Sequence, residues 1–328
     1  MLTVTYVGTD HHNPGDTITD LGVRALVSAM FGVHHATQVM LRDDVDVSRY
    51  VLAPSDILVV SGTPWLWDGF RDAPKARHLA ALLARDRSSL RLALGIGSCY
   101  LPGATPPANT AAGIEHLFGA FDAVVCRDAL AYELCRPVLG ARAHLRACPS
   151  VHAAAALGIE GRAREELALV YVDPLHCFGS DYVPADVQRQ VAQKQVELLR
   201  QGAHAVCMTA VDARSFRARF GEPHCADRSP RAILRTLAKY RRVVSGRVHG
   251  AVPARALGAE VEIFPLDSRV LTATLVGCRP IDLGHDLGFG QAGELAAVRA
   301  APTDVATVAR DLRASLGARV ADLAEVGA

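Results

Sequence analysis

The chain has 328 residues, half of them apolar and 21% charged, and 35 Lys+Arg against 34 Asp+Glu leave a net charge of +1. That composition excludes a disordered chain and gives no electrostatic reason to hold nucleic acid or an anionic membrane. The length suits about two domains.

No apolar run approaches the roughly 18 residues that cross a bilayer, so no transmembrane segment is expected. The start, Met1 to Val7, reads as a strand and not as a cleaved leader. The eight cysteines (Cys99, Cys126, Cys135, Cys148, Cys177, Cys207, Cys225 and Cys278) form no C-x-x-C pair. They read as reduced thiols of a cytoplasmic protein with no metal site.

In chain order, short apolar runs alternate with amphipathic stretches, the pattern of βαβ units and parallel sheets. Strands are expected at Leu2–Val7, Ala36–Leu41, Asp56–Val60, Leu90–Gly95 and Phe121–Cys126, with a further one at Ala143–Cys148. Helices are expected at Thr17–Phe31, Ala73–Arg85, Thr110–Phe118 and Ala129–Leu139, with Asp16 capping the first. The pattern restarts with a strand at Leu167–Val172, a helix at Val187–Arg200, a strand at Ala203–Met208 and a helix at Pro230–Tyr240. Strands at Arg241–Ser245 and Val261–Pro265 then flank a helix at Val248–Leu257. A Gly-rich loop at Gly284–Gly293 precedes a last helix at Thr303–Ala324. The Ala- and Gly-rich stretch Ala153–Glu166 divides the chain into domains 1–158 and 159–328, the last helix packing back across. The expected fold is two doubly wound, Rossmann-like α/β domains facing each other. In such sheets ligands sit beyond the carboxyl ends of the strands.

Four post-strand segments carry candidate chemistry. The loop Gly8 to Asp16 includes Asp10, His11 and Asn13 and opens a helix, so its N–H groups and dipole suit an anion; it is neither a Rossmann fingerprint nor a P-loop. Ser61 to Asp68 holds both tryptophans, Trp65 and Trp67, whose faces suit a sugar or a cation or else form a hydrophobic plug. Gly95-Ile96-Gly97-Ser98-Cys99-Tyr100 permits close backbone approach, with Cys99 either a nucleophile without an adjacent base or part of a tight turn. Most informative is Ser245-Gly246-Arg247-Val248-His249-Gly250, where a strand runs into a helix and a fixed cation, an imidazole and a helix N-terminus coincide. Arg127, after the strand ending at Cys126, can face Arg247 across the cleft, or it pairs on the surface with Asp128.

These residues resemble a known family. Ser245-Gly246-Arg247-Val248-His249-Gly250, with Ala254 and Gly258, resembles the Ser-x-Arg-x-His-Gly signature of polysaccharide pyruvyltransferases. Asn13-Pro14-Gly15-Asp16, Gly95-Ile96-Gly97 and Cys126-Arg127-Asp128-Ala129-Leu130 resemble further segments in the same order, over residues 3 to 276. Ala131 stands where that family usually has Ser, and Asp267-Ser268-Arg269 where Asp-x-Lys is frequent. The resemblance implies a GT-B-like fold and transfer of a pyruvyl group from phosphoenolpyruvate to hydroxyls of a sugar-containing acceptor, forming a ketal. Phosphoenolpyruvate is then a co-substrate, and no other cofactor is called for. His249, Arg247 and Asp16 would be catalytic. Arg127, Arg247, Ser245, Gly246 and Gly250 would hold the donor, and Asp10, His11, Asn13, Trp65, Trp67, Cys99 and Tyr100 the acceptor. Two other readings stand beside it: a GT-B glycosyltransferase using a nucleotide sugar, and a non-catalytic anion- or sugar-binding protein. The acceptor and the oligomeric state, a homo-oligomer included, stay open.

Overall fold

A computed structural model of the chain describes residues 1–9, 13–42, 44–50, 52–101, 104–162, 165–173, 183–283, 304–317, 319–320 and 323. Among these residues the alternation of apolar and amphipathic stretches folds into two parallel sheets, each covered on both faces.

The first lobe comprises β1 (Thr3–Thr9), α1 (Pro14–Phe31), β2 (His35–Leu41), β3 (Ile57–Ser61), β4 (Pro64–Leu66), α2 (Pro74–Leu83), β5 (Leu90–Ser98), α3 (Thr110–Phe118), β6 (Ala123–Cys126), α4 (Ala129–Leu139) and β7 (Ala143–Leu145). Its strands run in the order β2-β1-β3-β5-β6-β7, with β4 beside the end of β5. A 3-10 turn, Pro149–His152, and the short α5 (Ala153–Ala156) lead out of it. The second lobe comprises β8 (Glu165–Tyr171), α6 (Ala185–Arg200), β9 (His204–Cys207), α7 (Ala210–Phe220), α8 (Pro230–Leu237), β10 (Tyr240–Ser245), α9 (Val248–Ala256), β11 (Glu260–Ile263), α10 (Val270–Thr274) and β12 (Arg279–Pro280). Its sheet order is β12-β11-β10-β8-β9, and α11 (Val305–Leu316) closes the described chain. The loop expected at Gly284–Gly293 lies outside the described residues.

Three differences from the sequence expectation have local causes. Helix α1 begins at Pro14 and not at Thr17, because proline suits the first helical position and Asn13 takes the cap, its side chain accepting from Gly15 N at 3.0 Å. Asp16, expected to cap, sits in the first turn instead. Strand β5 passes through Gly95 to Ser98: at φ +85° this glycine absorbs a register shift against β6 that a side chain would resist. Helix α7 carries Arg214, Arg217 and Arg219 and buries Asp212, Ala213 and Phe216, so it shows no broad apolar stripe to announce it.

Helix α1 joins the two lobes. Val23, Leu26, Val27 and Met30 pack under the first sheet together with Val308, Ala309, Leu312 and Leu316 of α11. One turn nearer its start, Ile18 sits in the core of the second lobe with Ala251, Val252 and Ala254 of α9. Burying such a side chain contributes about 1.5–3 kcal/mol. Gly22 lets the helix rest against the 3-10 turn, since a Cβ there would overlap the Pro149 carbonyl.

A second tie crosses the lobes through buried polar groups. Tyr100 N donates to Ser268 Oγ at 2.9 Å, Ser268 Oγ meets Ser98 Oγ at 2.8 Å, and Ser98 Oγ donates to Asp128 Oδ1 at 2.8 Å. Because a carboxylate only accepts, the hydroxyl protons must run from Ser268 to Ser98 to Asp128. Ser268 N in turn donates to Tyr100 O at 2.8 Å.

His152, in the 3-10 turn under α1, is 5% exposed, and burial pushes its imidazole down to about 4. Below its ordinary value of 6.5 the unfolded chain takes up a proton that the native state refuses. The stabilisation is complete above 6.5 and lost as the pH falls through 4, on the order of 3 kcal/mol. Thermal midpoints measured from pH 7.5 to 4.5 should therefore fall less steeply in His152→Gln than in the wild type; parallel profiles would contradict this.

Candidate functional site

The carboxyl ends of β8, β9, β10 and β11 open into a cleft of about 540 Å³. Val172, Met208, Gly246, Arg247, Val248, His249, Ile263, Phe264, Leu266, Asp267, Arg269 and Val270 line it from the second lobe, and Asn13 from the first. The loop between β10 and α9 is shaped by Ser245, whose Oγ donates to Arg247 O at 2.7 Å and accepts from Arg247 N at 3.1 Å. Two glycines bring this loop against the sheet: a Cβ on Gly246 would overlap the Val172 side chain, and one on Gly250 would lie 2.8 Å from Ser245 Oγ.

His249, on the first turn of α9, is 5% exposed. Its Nε2 lies 3.3 Å from Nη1 of Arg127. A guanidinium only donates, so Nε2 is the acceptor and a neutral His249 carries its proton on Nδ1. Burial first, then the charges of Arg127, Arg269 and Arg247, push the imidazole well below its ordinary value, so at neutral pH it is an unprotonated base. On its other side stands the start of α1, so close that a Cβ on Gly15 would overlap the ring at Nδ1. The Asn-Pro-Gly-Asp segment thus meets the Ser-x-Arg-x-His-Gly segment in space, across the lobes.

Arg127 emerges from β6 and is 0% exposed. It packs on Gly97, where any side chain would collide with its guanidinium. Its Nε and Nη2 are buried and have no hydrogen-bond partner among the described residues. The neighbouring Asp128 does not neutralise it by direct bonding: its oxygens accept from Ser98 N, Ser98 Oγ and Ala131 N, each at 2.8 Å. Burial raises the Asp128 carboxyl, and those donors together with Arg127 act the other way.

The two arginines expected to close on one ligand are differently placed. Arg127 lies behind His249 and does not line the cleft. Arg247 does line it, yet its guanidinium is held by Asp212 in a two-pronged pair, Nε to Oδ2 at 2.6 Å and Nη2 to Oδ1 at 2.8 Å. Arg269, another cleft cation, is paired with Asp267 through Nε at 2.8 Å and through Nη2. Asp212 is the residue that sequence reasoning missed. It lies on the unforeseen α7, and only its place three residues after Thr209, a capping pair, hinted at it.

The expected acceptor residues separate. Asn13 lines the cleft, Asp16 occupies the first turn of α1, and Asp10 and His11 lie outside the described residues. Trp65 is 1% exposed and packs edge-on against Phe118, so it fills the first-lobe core instead of presenting a face. Trp67 is partly buried on the same core, with Lys75 Nζ 4.3 Å from its ring centre. Tyr100 is buried in the contact between lobes. Cys99 is half-buried, and burial pushes its thiol up to about 11, the reverse of an activated nucleophile. Among the described residues no group of three or more His, Cys, Asp or Glu converges as metal ligands, and no helix is long and apolar enough to cross a membrane.

Two facing parallel α/β lobes with the site at their strand ends define a GT-B-like fold. Solved structures share it: a protein described as a UDP-N-acetylglucosamine 2-epimerase of Listeria monocytogenes is 11% identical, covering 95% of this chain and 94% of its own, at a TM-score of 0.53. MnaA of S. aureus, solved with UDP, is 8% identical over 93% of this chain and 91% of its own, at a TM-score of 0.51. A model of the polysaccharide pyruvyl transferase family matches residues 11–261, and the chain belongs to that family. No curated protein matches its sequence.

The contact between α1 and His249 can be tested directly. Gly15→Ala must displace either the helix or the imidazole and should cost about 1–3 kcal/mol in denaturant unfolding. Gly8→Ala in β1, whose new methyl would find Met40 at 3.4 Å, should be neutral or slightly stabilising. Equal stability of the two variants would refute the contact.

Proposed function

We propose that the chain transfers a pyruvyl group from phosphoenolpyruvate to hydroxyls of a sugar-containing acceptor, with the donor bound in the cleft against His249 and the rim of Arg247, and Arg127 acting on it from behind the imidazole. The observation that carries this reading is Arg127: a guanidinium buried to 0% exposure, two of whose nitrogens find no hydrogen-bond partner among the described residues. Uncompensated burial of a charge costs several kcal/mol. A ligand bearing a phosphate and a carboxylate, seated in the cleft in front of His249, supplies negative charge that offsets that buried cation. Membership of the family supports the same class of reaction.

The chemistry suits a histidine whose charge state follows occupancy. Burial first, and then three cations, hold His249 neutral. A bound polyanion opposes them and raises the imidazole, so the residue can then hold the proton that phosphoenolpyruvate needs. Transfer of that proton to the methylene carbon makes it a methyl and leaves a cationic centre at C2. A sugar hydroxyl adds there as its proton passes to the unprotonated His249. The C2–O bond to phosphate then breaks with its electron pair, and a second hydroxyl closes the ketal as its proton passes to the departing phosphate. Asp16, in the same turn of α1 that abuts the imidazole, is the nearest candidate for a supporting role. Ser245, Gly246 and Gly250 hold the loop against the sheet and so set the start of α9 at the cleft. So written, the reaction calls on no cofactor besides phosphoenolpyruvate.

The nucleotide-sugar reading draws on the shared fold alone and has no observation at the site in its favour. The test is phosphate release from phosphoenolpyruvate with a panel of glycan acceptors, alongside calorimetric titration of phosphoenolpyruvate and of UDP. His249→Gln should lower phosphate release roughly 10²–10⁴-fold. Arg127→Gln should weaken donor binding roughly 100-fold while melting no lower than the wild type, since it removes a buried charge. UDP binding without phosphoenolpyruvate binding would replace the proposal, and wild-type turnover by His249→Gln would end it.

A further inference from the structure

Asp212 is 0% exposed and stands at the junction of three strand ends. Its Oδ1 accepts from Asp173 N, beyond β8, at 3.1 Å and from Arg247 Nη2 at 2.8 Å. Its Oδ2 accepts from Thr209 Oγ1, at the start of α7, at 2.6 Å and from Arg247 Nε at 2.6 Å. Asp212 N closes the turn on Thr209 Oγ1 at 3.1 Å. One carboxylate thus joins the loops after β8, β9 and β10, and every bond it accepts fixes the plane of its two oxygens. Arg247, with an 18% exposed side chain, has one edge occupied by that plane and Nη1 left over.

We propose that Asp212 is a positioning residue for donor binding: it acts through Arg247, holding the guanidinium edge-on so that its remaining face meets the donor anion at the mouth of the cleft. This rests on the reading of the cleft as a donor site. An arginine side chain has several rotors, and ordering them at the moment of binding weakens affinity; the two-pronged pair orders them beforehand. The pair also offsets the charge of Arg247, which leaves Arg127, behind His249, as the cation whose field draws the donor. The arrangement therefore divides the work: Arg127 attracts, and Arg247 orients.

The proposal predicts a coupling that a purely structural carboxylate would lack. In Asp212→Asn the KM for phosphoenolpyruvate and its calorimetric Kd should rise about tenfold with the acceptor KM unchanged. A structural role would lower the active fraction, and so kcat, while moving neither KM. In Asp212→Asn/Arg247→Gln the donor Kd should match that of Arg247→Gln within twofold, because Asp212 has nothing left to position. A further tenfold loss in the double variant, or tighter donor binding by Asp212→Asn, would overturn the proposal. Arg247→Gln alone strands a buried carboxylate, so the double variant should fold better than that single one. Should Asp212→Asn not fold, Thr209→Val takes one hydrogen bond from Oδ2, keeps both charges, and should raise the donor Kd two- to fivefold; an unchanged Kd would overturn the proposal. Titration with inorganic phosphate separates the two claims. A wild type that binds phosphate but not phosphoenolpyruvate refutes the donor and leaves the coupling readable on phosphate. A wild type that binds neither refutes both.

Discussion

A guanidinium sealed inside the molecule, with no carboxylate bonded to it among the described residues, is the constraint from which the rest of the site follows. Arg127 touches Gly97 on one side and His249 on another: a side chain at position 97 would meet its guanidinium, and its Nη1 donates to Nε2 of the imidazole. Burial first, and then this charge, hold His249 neutral, and the Arg127 contact sets which ring nitrogen carries hydrogen. A protein optimised only for stability would replace this residue with an apolar one.

The backbone makes this arrangement reachable through positions where a side chain is forbidden. Gly15, Gly97 and the pair Gly246 and Gly250 lie in three segments far apart in the chain, and each removes a Cβ that would collide with His249, Arg127, Val172 or Ser245. The close approaches are therefore reciprocal. The histidine can sit at the end of α1 only because α1 begins Asn-Pro-Gly, a sequence that also sets the first turn and its cap.

The alternation of strands and helices was legible because buried parallel strands are short and apolar and their helices are amphipathic. The His249 loop was legible for a related reason: small residues, a cation and an imidazole at a strand end are costly to place without cause. What stayed hidden was spatial. Helix α7 buries a charge, so its stripe is broken, and with it went Asp212. Trp65 looked like a sugar platform because both tryptophans stand in a loop, yet β4 forms there and turns that ring into the core against Phe118. The partners of Arg247 and Arg127 were likewise beyond the sequence, since Asp212 is 35 residues and His249 is 122 residues away along the chain.

Helix α1 contributes Ile18 to the core of the second lobe, while α11, from the far end of the chain, completes the core of the first. Each lobe is finished by a helix drawn from the opposite end of the sequence. The lobes are consequently poor units of exchange. A chimera that joined this first lobe to the second lobe of a relative would carry a foreign α11 against its sheet and offer its own Ile18 to a socket shaped for another side chain. The two halves are therefore one unit of folding, each completed by a segment of the other.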